Sequence, residues 1–367
     1  MKYLKELKQL VEINSYTKNK KGVDKNAEIY ITKMIPLGFE HTIYEREKVG
    51  NHILFTSQKR DGKKLLLVGH MDTVFPENTF EEYKEDDTWV YGPGVCDMKG
   101  GNIVAIEALR NVFYKFGKIE NIDFLLVSDE EDGSCDSKYI TSKLAKRYDY
   151  ALVYEAAGKN MEIVVSRKGS GAFFMDIEGK AAHAGNNYAL GVDANLEASY
   201  KIQKLVGLTD LDAGSTVNVG KMEGGIGANT ISPFAKLTFE IRYKNIAERD
   251  RLLKEIDNIT KKSFVKGSIS SLSGGIQKDV MQVNEKSLKF LKEIEKISGF
   301  KLLTEERGGV SDANIIASAG TIVLDGFGPF GDGDHTHNER ALKSSFKERI
   351  ELSTKIFEAL MQDRFMA

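Results

Sequence analysis

Residues 65–74, LLLVGHMDTV, decide how the rest of the chain reads. Leu65 to Gly69 run without a polar break into His70 and Asp72. An uninterrupted apolar run bounded by polar residues is the pattern of a strand buried on both faces. His70 and Asp72 are two positions apart, so on an extended segment their side chains face the same way. Two further runs have this form. FLLVS (124–128) leads into Asp129, Glu130, Glu131 and Asp132, and ALVY (151–154) leads into Glu155. In an open α/β sheet the ends of such strands converge on one crevice, so ligands far apart in sequence can meet in space.

Between these runs the period changes. Gly100 and Gly101 follow the YGPG turn and open a helix whose Ile103, Ile106, Leu109 and Val112 keep helical spacing. Other helices are predicted over 1–13, 24–36 and 136–146. Continuous apolar strands alternating with helices argue for a mixed α/β sheet with helices on both faces.

The pattern shifts near Ser166. GAFFMDIEG (171–179) alternates, a helix follows over 191–206, and STVNVGKM (215–222) and AKLTFEIRY (235–243) read as strands. A charged helix over 246–262 and a short strand near 266–271 complete the order β-α-β-β-α-β, that of a ferredoxin-like sandwich. Residues 167–276 therefore read as an inserted α+β domain between two parts of a catalytic domain, 1–166 and 277–367. SLSGGIQ (271–277) reads as the return linker. Helices over 284–297, 311–318 and 341–362 and the strand TIVLDG (321–326) then resume the earlier style.

Length and composition agree with this division. A chain of 367 residues exceeds the size at which one core stops growing. With 52 basic and 54 acidic residues the net charge is only -2, which gives no support to a nucleic-acid or acidic-membrane partner. Cys96 and Cys135 are too few for a disulfide framework and point to a reducing compartment. MKYLKELKQLVEI places Leu4, Leu7, Leu10 and Val11 at helical spacing and lacks the apolar core of a signal peptide. No run approaches the length that crosses a bilayer. The expectation is a soluble, cytoplasmic protein.

The residues at the strand ends suit a metal site. Asp97 follows a Gly-Pro-Gly turn, and its two oxygens can bridge two cations, which paired sites hold ~3.5–4 Å apart. A helix-capping aspartate would occupy the same place. The block Asp129–Asp132 gathers four acids where mutual repulsion calls for cations. A ligand beside a general base answers that need, because one carboxylate neutralises the ion while its neighbour takes a proton from water. A solvated acidic loop is the plainer alternative. Glu155, a charge after a buried strand, needs a partner. Asp72 is given an electrostatic or orienting role beside the site, not ligation; a strand-end His and a capping Asp would read the same way. In the inserted segment His183 lies among small residues in GKAAHAG, and Arg242 ends a strand beyond Asn229. Arg grips carboxylates with two prongs, and a His in such a loop can polarise a carbonyl. Taken singly, both also fit an ordinary polar surface.

Taken in order, GHMDTV, GPGVCDMKGG, SDEEDGS, VYEA, GKAAHAG, ANTISP, GGVSDA and HTHNE resemble the co-catalytic zinc peptidase family of glutamate carboxypeptidase, acetylornithine deacetylase, succinyl-diaminopimelate desuccinylase and tripeptide aminopeptidase. The resemblance spans almost the whole chain. It is strongest to the glutamate carboxypeptidase branch, through SRKGSGAFFMDIEGKAAHAG and GGVSDANIIA. It implies two zinc ions per chain, with cobalt or manganese also suited to the donors. His70 and Glu155 would hold one, Glu131 and His335 the other, and Asp97 would bridge them. It makes Glu130 the general base and then acid, and gives His183 a place at the partner subunit's active site. Asn229 and Arg242 would bind the substrate's carbonyl and carboxylate, and the inserted domain would form a homodimer. Relatives usually offer a single His in the last motif, whereas GDGDHTHNERA has His335 and His337. His335 is preferred because it stands four residues before Glu339, as in many relatives. The expected activity is hydrolysis of an amide next to a free carboxylate, in small peptides or N-acyl amino acids. The alternatives are a deacylase of the acetylornithine or desuccinylase type and a catalytically silent metal-binding homologue. Glu130 argues against the last, since a structural metal site needs no spare base.

Overall fold

The computed structural model describes residues 1–364. The chain separates into two compact units. One contains Met1–Ser166, Val283–Arg307 and the residues from Ser311 onward; the other contains Arg167–Gln282 and Gly308–Val310.

The first unit is built on a six-stranded mixed sheet in the order Glu40–Tyr44, His52–Thr56, Ile122–Val127, Leu65–His70, Tyr150–Val153, Ile322–Leu324. The last four are mutually parallel, and the first two add an antiparallel edge. Every residue of Leu65–His70, Ile122–Val127 and Tyr150–Val153 is buried, which is why these strands read as unbroken apolar runs. The edge strand Glu40–Tyr44 is exposed along almost its whole length and carries no such run, so its sequence pattern does not announce it. Leu67, Ile106, Phe124, Leu152, Phe346 and Phe357 belong to one continuous core, each such side chain contributing about 1.5–3 kcal/mol on burial. The helix expected from residue 24 begins at Lys20, because the Asn19 side chain accepts from the Gly22 amide and caps it there. A second, small sheet runs Gly331–Asp332, Arg340–Leu342, Trp89–Tyr91, Lys84–Glu85. None of its short strands is evident from the sequence.

The second unit has its own core, which includes Met175, Leu237, Ile241, Leu252 and Ile256. Its four strands, Gly169–Glu178, Thr216–Gly224, Phe234–Tyr243 and Ile269–Lys278, are all antiparallel to their neighbours. Their spatial order is second, third, first, fourth, with helices Ala194–Val206 and Ile246–Lys261 completing the ferredoxin-like arrangement. SLSGGIQ is no linker: Leu272 to Ile276 pair with Met175 to Gly171 along the first strand. A Cβ at Gly274, where φ is +94°, would lie 2.2 Å from the Ala172 carbonyl oxygen, so the glycine marks close strand contact, not a loop. The chain re-enters the first unit only at Val283.

Candidate metal centre

Three parallel strands end side by side. Leu65–His70 lies between Ile122–Val127 and Tyr150–Val153, and His70 is the register partner of Val127. The chain then delivers Glu130 and Glu131 in a short turn, Glu130–Asp132, and Glu155 just past Val153. Asp97 arrives immediately before the helix Lys99–Phe116. That helix can approach the strand ends because Gly101 has no side chain: a Cβ there would lie 1.8 Å from the Tyr154 carbonyl oxygen. Asn102, on the same helix, donates to the His70 carbonyl at 2.7 Å.

Two groups of donor atoms could each hold a cation: His70, Asp97 and Glu155, and Asp97, Glu131 and His335, with the donor atoms of each group all within 4.8 Å of one another. Asp97 belongs to both. Its Oδ1 lies 3.0 Å from His70 Nε2, and its Oδ2 lies 3.3 Å from His335 Nε2. Glu155 Oε1 is 3.8 Å from His70 Nε2, and Glu131 Oε2 is 3.0 Å from His335 Nε2. His70 Nδ1 stands 3.0 Å from the Asp72 backbone carbonyl, and donating to it leaves Nε2 with a lone pair for a cation.

Asp72 joins the two sides of the site in a way the sequence did not reveal. Fully buried, it accepts from the Thr17 hydroxyl at 2.7 Å and from the Glu130 and Glu131 amides at 3.3 and 3.1 Å. It thus orients the acidic turn. His337 takes no part in either group and stacks instead on Phe80, ring centroids 5.5 Å apart. His335 has φ +61°, a left-handed conformation uncommon for a residue with a side chain, and such outliers concentrate at functional sites.

The electrostatics test whether these residues suit divalent cations. Burial, and then the charge of Asp97, push Glu131 up to about 8 and Glu155 well above the usual carboxylate range. Burial would raise Asp97 too, but hydrogen bonds from His335 and His70 outweigh it and hold its pKa well below the usual range. Its hydrogen bonds to Asp97 and Glu131 raise His335 to about 11. Three carboxylates crowded around two imidazoles thus demand positive charge, and two divalent cations supply it without proton uptake. Oxygen and imidazole nitrogen donors suit zinc, cobalt or manganese. The residues fit.

His183, Asn229 and Arg242 belong to the second unit. The exposed His183 lies in a loop paired with Thr230, its Nδ1 accepts from the Gly185 and Asn186 amides at 3.1 Å, and the Ala184 amide donates to the Asn229 carbonyl. Arg242 lies on the strand face opposite the core and donates to Glu240 at 2.5 Å.

A parallel-stranded α/β unit with a carboxylate-rich, two-group donor cluster at its strand ends has the make-up of a metal-dependent hydrolase. Comparison with known proteins gives the class its family. The model of peptidase family M20/M25/M40 matches residues 66–360, and the chain belongs to that family, whose members are metal-dependent hydrolases of the metallopeptidase and amidohydrolase type. Carboxypeptidase G2 of Pseudomonas sp. (strain RS-16) is 30% identical over 91% of this chain and 83% of its own. Succinyl-diaminopimelate desuccinylase of Sulfurimonas denitrificans is 26% identical over 96% of this chain and 98% of its own. Among solved structures, a tripeptidase from Staphylococcus aureus superposes with a TM-score of 0.81 at 25% identity, covering 98% of this chain and 96% of that one. Among the described residues no helix is long and apolar enough to cross a membrane.

Proposed function

We propose that this protein is a di-zinc carboxypeptidase of the glutamate carboxypeptidase kind, which hydrolyses the amide bond next to a free carboxylate in small peptides or N-acyl amino acids. The observation that carries this reading is the division of Asp97's two oxygens between two donor groups, with Glu130 beside the ligand Glu131 and outside both groups. His70 and Glu155 would hold one zinc and Glu131 and His335 the other, with Asp97 contributing to both. When bound, the cations polarise the scissile carbonyl and acidify water at the site. Glu130 takes the proton of the attacking water and returns it to the leaving amine. Asp72 keeps Glu130 in reach through the amide it accepts from. Arg242 receives the substrate's free carboxylate, Asn229 its carbonyl, and His183 the oxyanion of the tetrahedral state.

The similarity to carboxypeptidase G2 supports the substrate class. The similarity to succinyl-diaminopimelate desuccinylase favours a second reading, a small-molecule deacylase. One experiment separates them: zinc-dependent release of the amino acid from a panel of N-acyl amino acids, each as free acid and as amide. A carboxypeptidase needs the free acid beside the scissile bond, and equal hydrolysis of both forms would sink the carboxypeptidase reading.

The second unit serves as lid and dimer interface in this proposal. Leu196 and Tyr200 stand one turn apart, exposed, on Ala194–Val206, and Thr216–Gly224 is an edge strand of its sheet. Sedimentation at a monomer's mass would overturn that part. Free Cys96 and Cys135 support a cytoplasmic setting, and the near-neutral charge supports neither a nucleic-acid nor a membrane partner.

A further inference from the structure

We infer that Glu339 is a positioning residue for the metal centre, a buried carboxylate that holds the Asp97 loop in ligand geometry and ties it to the loop that carries His335. The inference rests on the reading of Asp97 as a bridging ligand and extends it to a residue outside both donor groups.

Glu339 is 1% exposed. Its Oε2 accepts from the Gly94 amide at 3.0 Å, and its Oε1 accepts from the Cys96 and Asp97 amides at 3.0 and 3.1 Å. Three amides of a single turn therefore converge on one carboxylate, a concave anion seat filled from within the chain. Gly94 has φ +81°, which glycine adopts freely, and this helps turn the amides inward. Backbone pairing sets the register of the two segments. Arg340–Leu342 pairs antiparallel with Trp89–Tyr91, and the Gly92 amide donates to the Glu339 carbonyl at 3.2 Å. The chains diverge from this ladder, one towards Asp97 and the other back towards His335. The Asp97 loop also packs on the strand Gly331–Asp332, which pairs with Arg340–Leu342: a Cβ at Gly331 would lie 2.3 Å from Cys96 Cβ. Backbone pairing stops at Gly92, and the Glu339 side chain then takes over, bonding Gly94, Cys96 and Asp97 in the turn that follows. Asp97, held at its own amide, can then present Oδ1 to His70 and Oδ2 to His335 without ordering itself when cations arrive.

Both oxygens are in use, so the isosteric amide is not a neutral replacement. In Glu339→Gln one of them becomes an NH2 group, and whichever way the amide turns, a backbone N–H meets a donor. Glu339→Asp keeps the charge but withdraws it by one methylene, so it cannot span the same three amides. Glu197→Gln is the reference: Glu197 is also fully buried and also accepts two backbone amides, those of Phe264 and Val265, but it lies in the second unit.

The test is zinc affinity by chelator competition on the full-length chain, with the thermal midpoint of the zinc-free protein measured in parallel. Glu339→Gln and Glu339→Asp should bind zinc ~10- to 100-fold more weakly than wild type. Glu197→Gln should lower the thermal midpoint and leave zinc affinity unchanged. Wild-type affinity in either folded Glu339 variant would overturn the inference, because a purely structural strut moves only the midpoint. Should neither variant fold, amide hydrogen exchange in the zinc-free wild type decides: protected Gly94, Cys96 and Asp97 amides support the clamp, and amides that exchange freely until zinc is added overturn it. Asp97→Asn separates the two levels. Undiminished zinc binding in that variant refutes the bridging-ligand reading itself, whereas its loss beside unaffected Glu339 variants refutes only the clamp.

Discussion

In the second unit Glu197 and Lys201 are both fully buried, and each is provided for. Lys201 Nζ lies 3.2 Å from Glu197 Oε1 and donates to the carbonyls of Ile259, Thr260 and Lys262 at 2.6, 3.1 and 2.8 Å, while Glu197 accepts two backbone amides. At the strand ends of the first unit the same kind of material is arranged against itself. Asp97, Glu131 and Glu155 share two imidazoles, and Glu131 and Glu155 are forced towards protonation by burial and by their neighbour Asp97. Burial of charge is common to both regions, and partnership separates them. A buried pair with its backbone partners built in is a strut, and a buried cluster short of positive charge is a place for a ligand.

The contrast can be broken most sharply at the acidic turn. Glu130→Gln should retain two zinc ions and lose turnover by ~100- to 10,000-fold or more, since in the proposed mechanism the same group serves as base and then acid. More than about a tenth of wild-type activity in that variant would remove Glu130 from its role. Its neighbour behaves differently. Glu131→Gln should lose metal as well as rate, so full occupancy by elemental analysis contradicts the division of labour between adjacent acids. The two histidines sharpen the same point: His335→Ala should lower metal content, and His337→Ala, which removes a ring packed against Phe75 and Phe80, should keep it near two per chain. The reverse outcome transfers the ligand role to His337.

A smaller effect is expected in the second unit. Arg242→Ala should keep its metal and raise KM; loss of a charge-assisted substrate contact costs ~2–5 kcal/mol, so kcat/KM should fall at least ~30-fold. An amidated substrate should be poor for wild type and no worse for the variant, and an equal loss on both substrates contradicts carboxylate recognition. The smallest effect on catalysis belongs to Glu197→Gln. Breaking that buried pair should cost on the order of 3 kcal/mol of stability, read by denaturant unfolding, with kcat unchanged. A fall in kcat at full folding would show that the second unit's strut also serves the reaction.

Much of this was readable in LLLVGH, FLLVS and ALVY, because a strand covered on both faces must be apolar throughout and the first polar residue after it marks the exposed end. The β-α-β-β-α-β order was readable from alternation, because strands covered on one face only alternate apolar and polar residues. SLSGGIQ was misread because serine and glycine signal loops, while its actual partner, the strand Gly169–Glu178, is distant in sequence. Glu339 was visible only as a spacing mark after His335. Nothing local distinguishes a glutamate that faces water from one that receives three amides of a turn 242 to 245 residues away.

By itself, then, the sequence determined which residues could bind a cation and which strand ends would carry them, since both follow from local pattern and side-chain chemistry. The tertiary structure alone decided that Asp97 offers one oxygen to His70 and the other to His335, that Asp72 orients the acidic turn through its amides, and that His337 turns away to stack on Phe80. Those choices depend on distances between segments that are remote along the chain, and such distances are set by sheet order, by the close approaches that glycine permits and by the register of a two-stranded ladder. None of these is a property of any one stretch of residues.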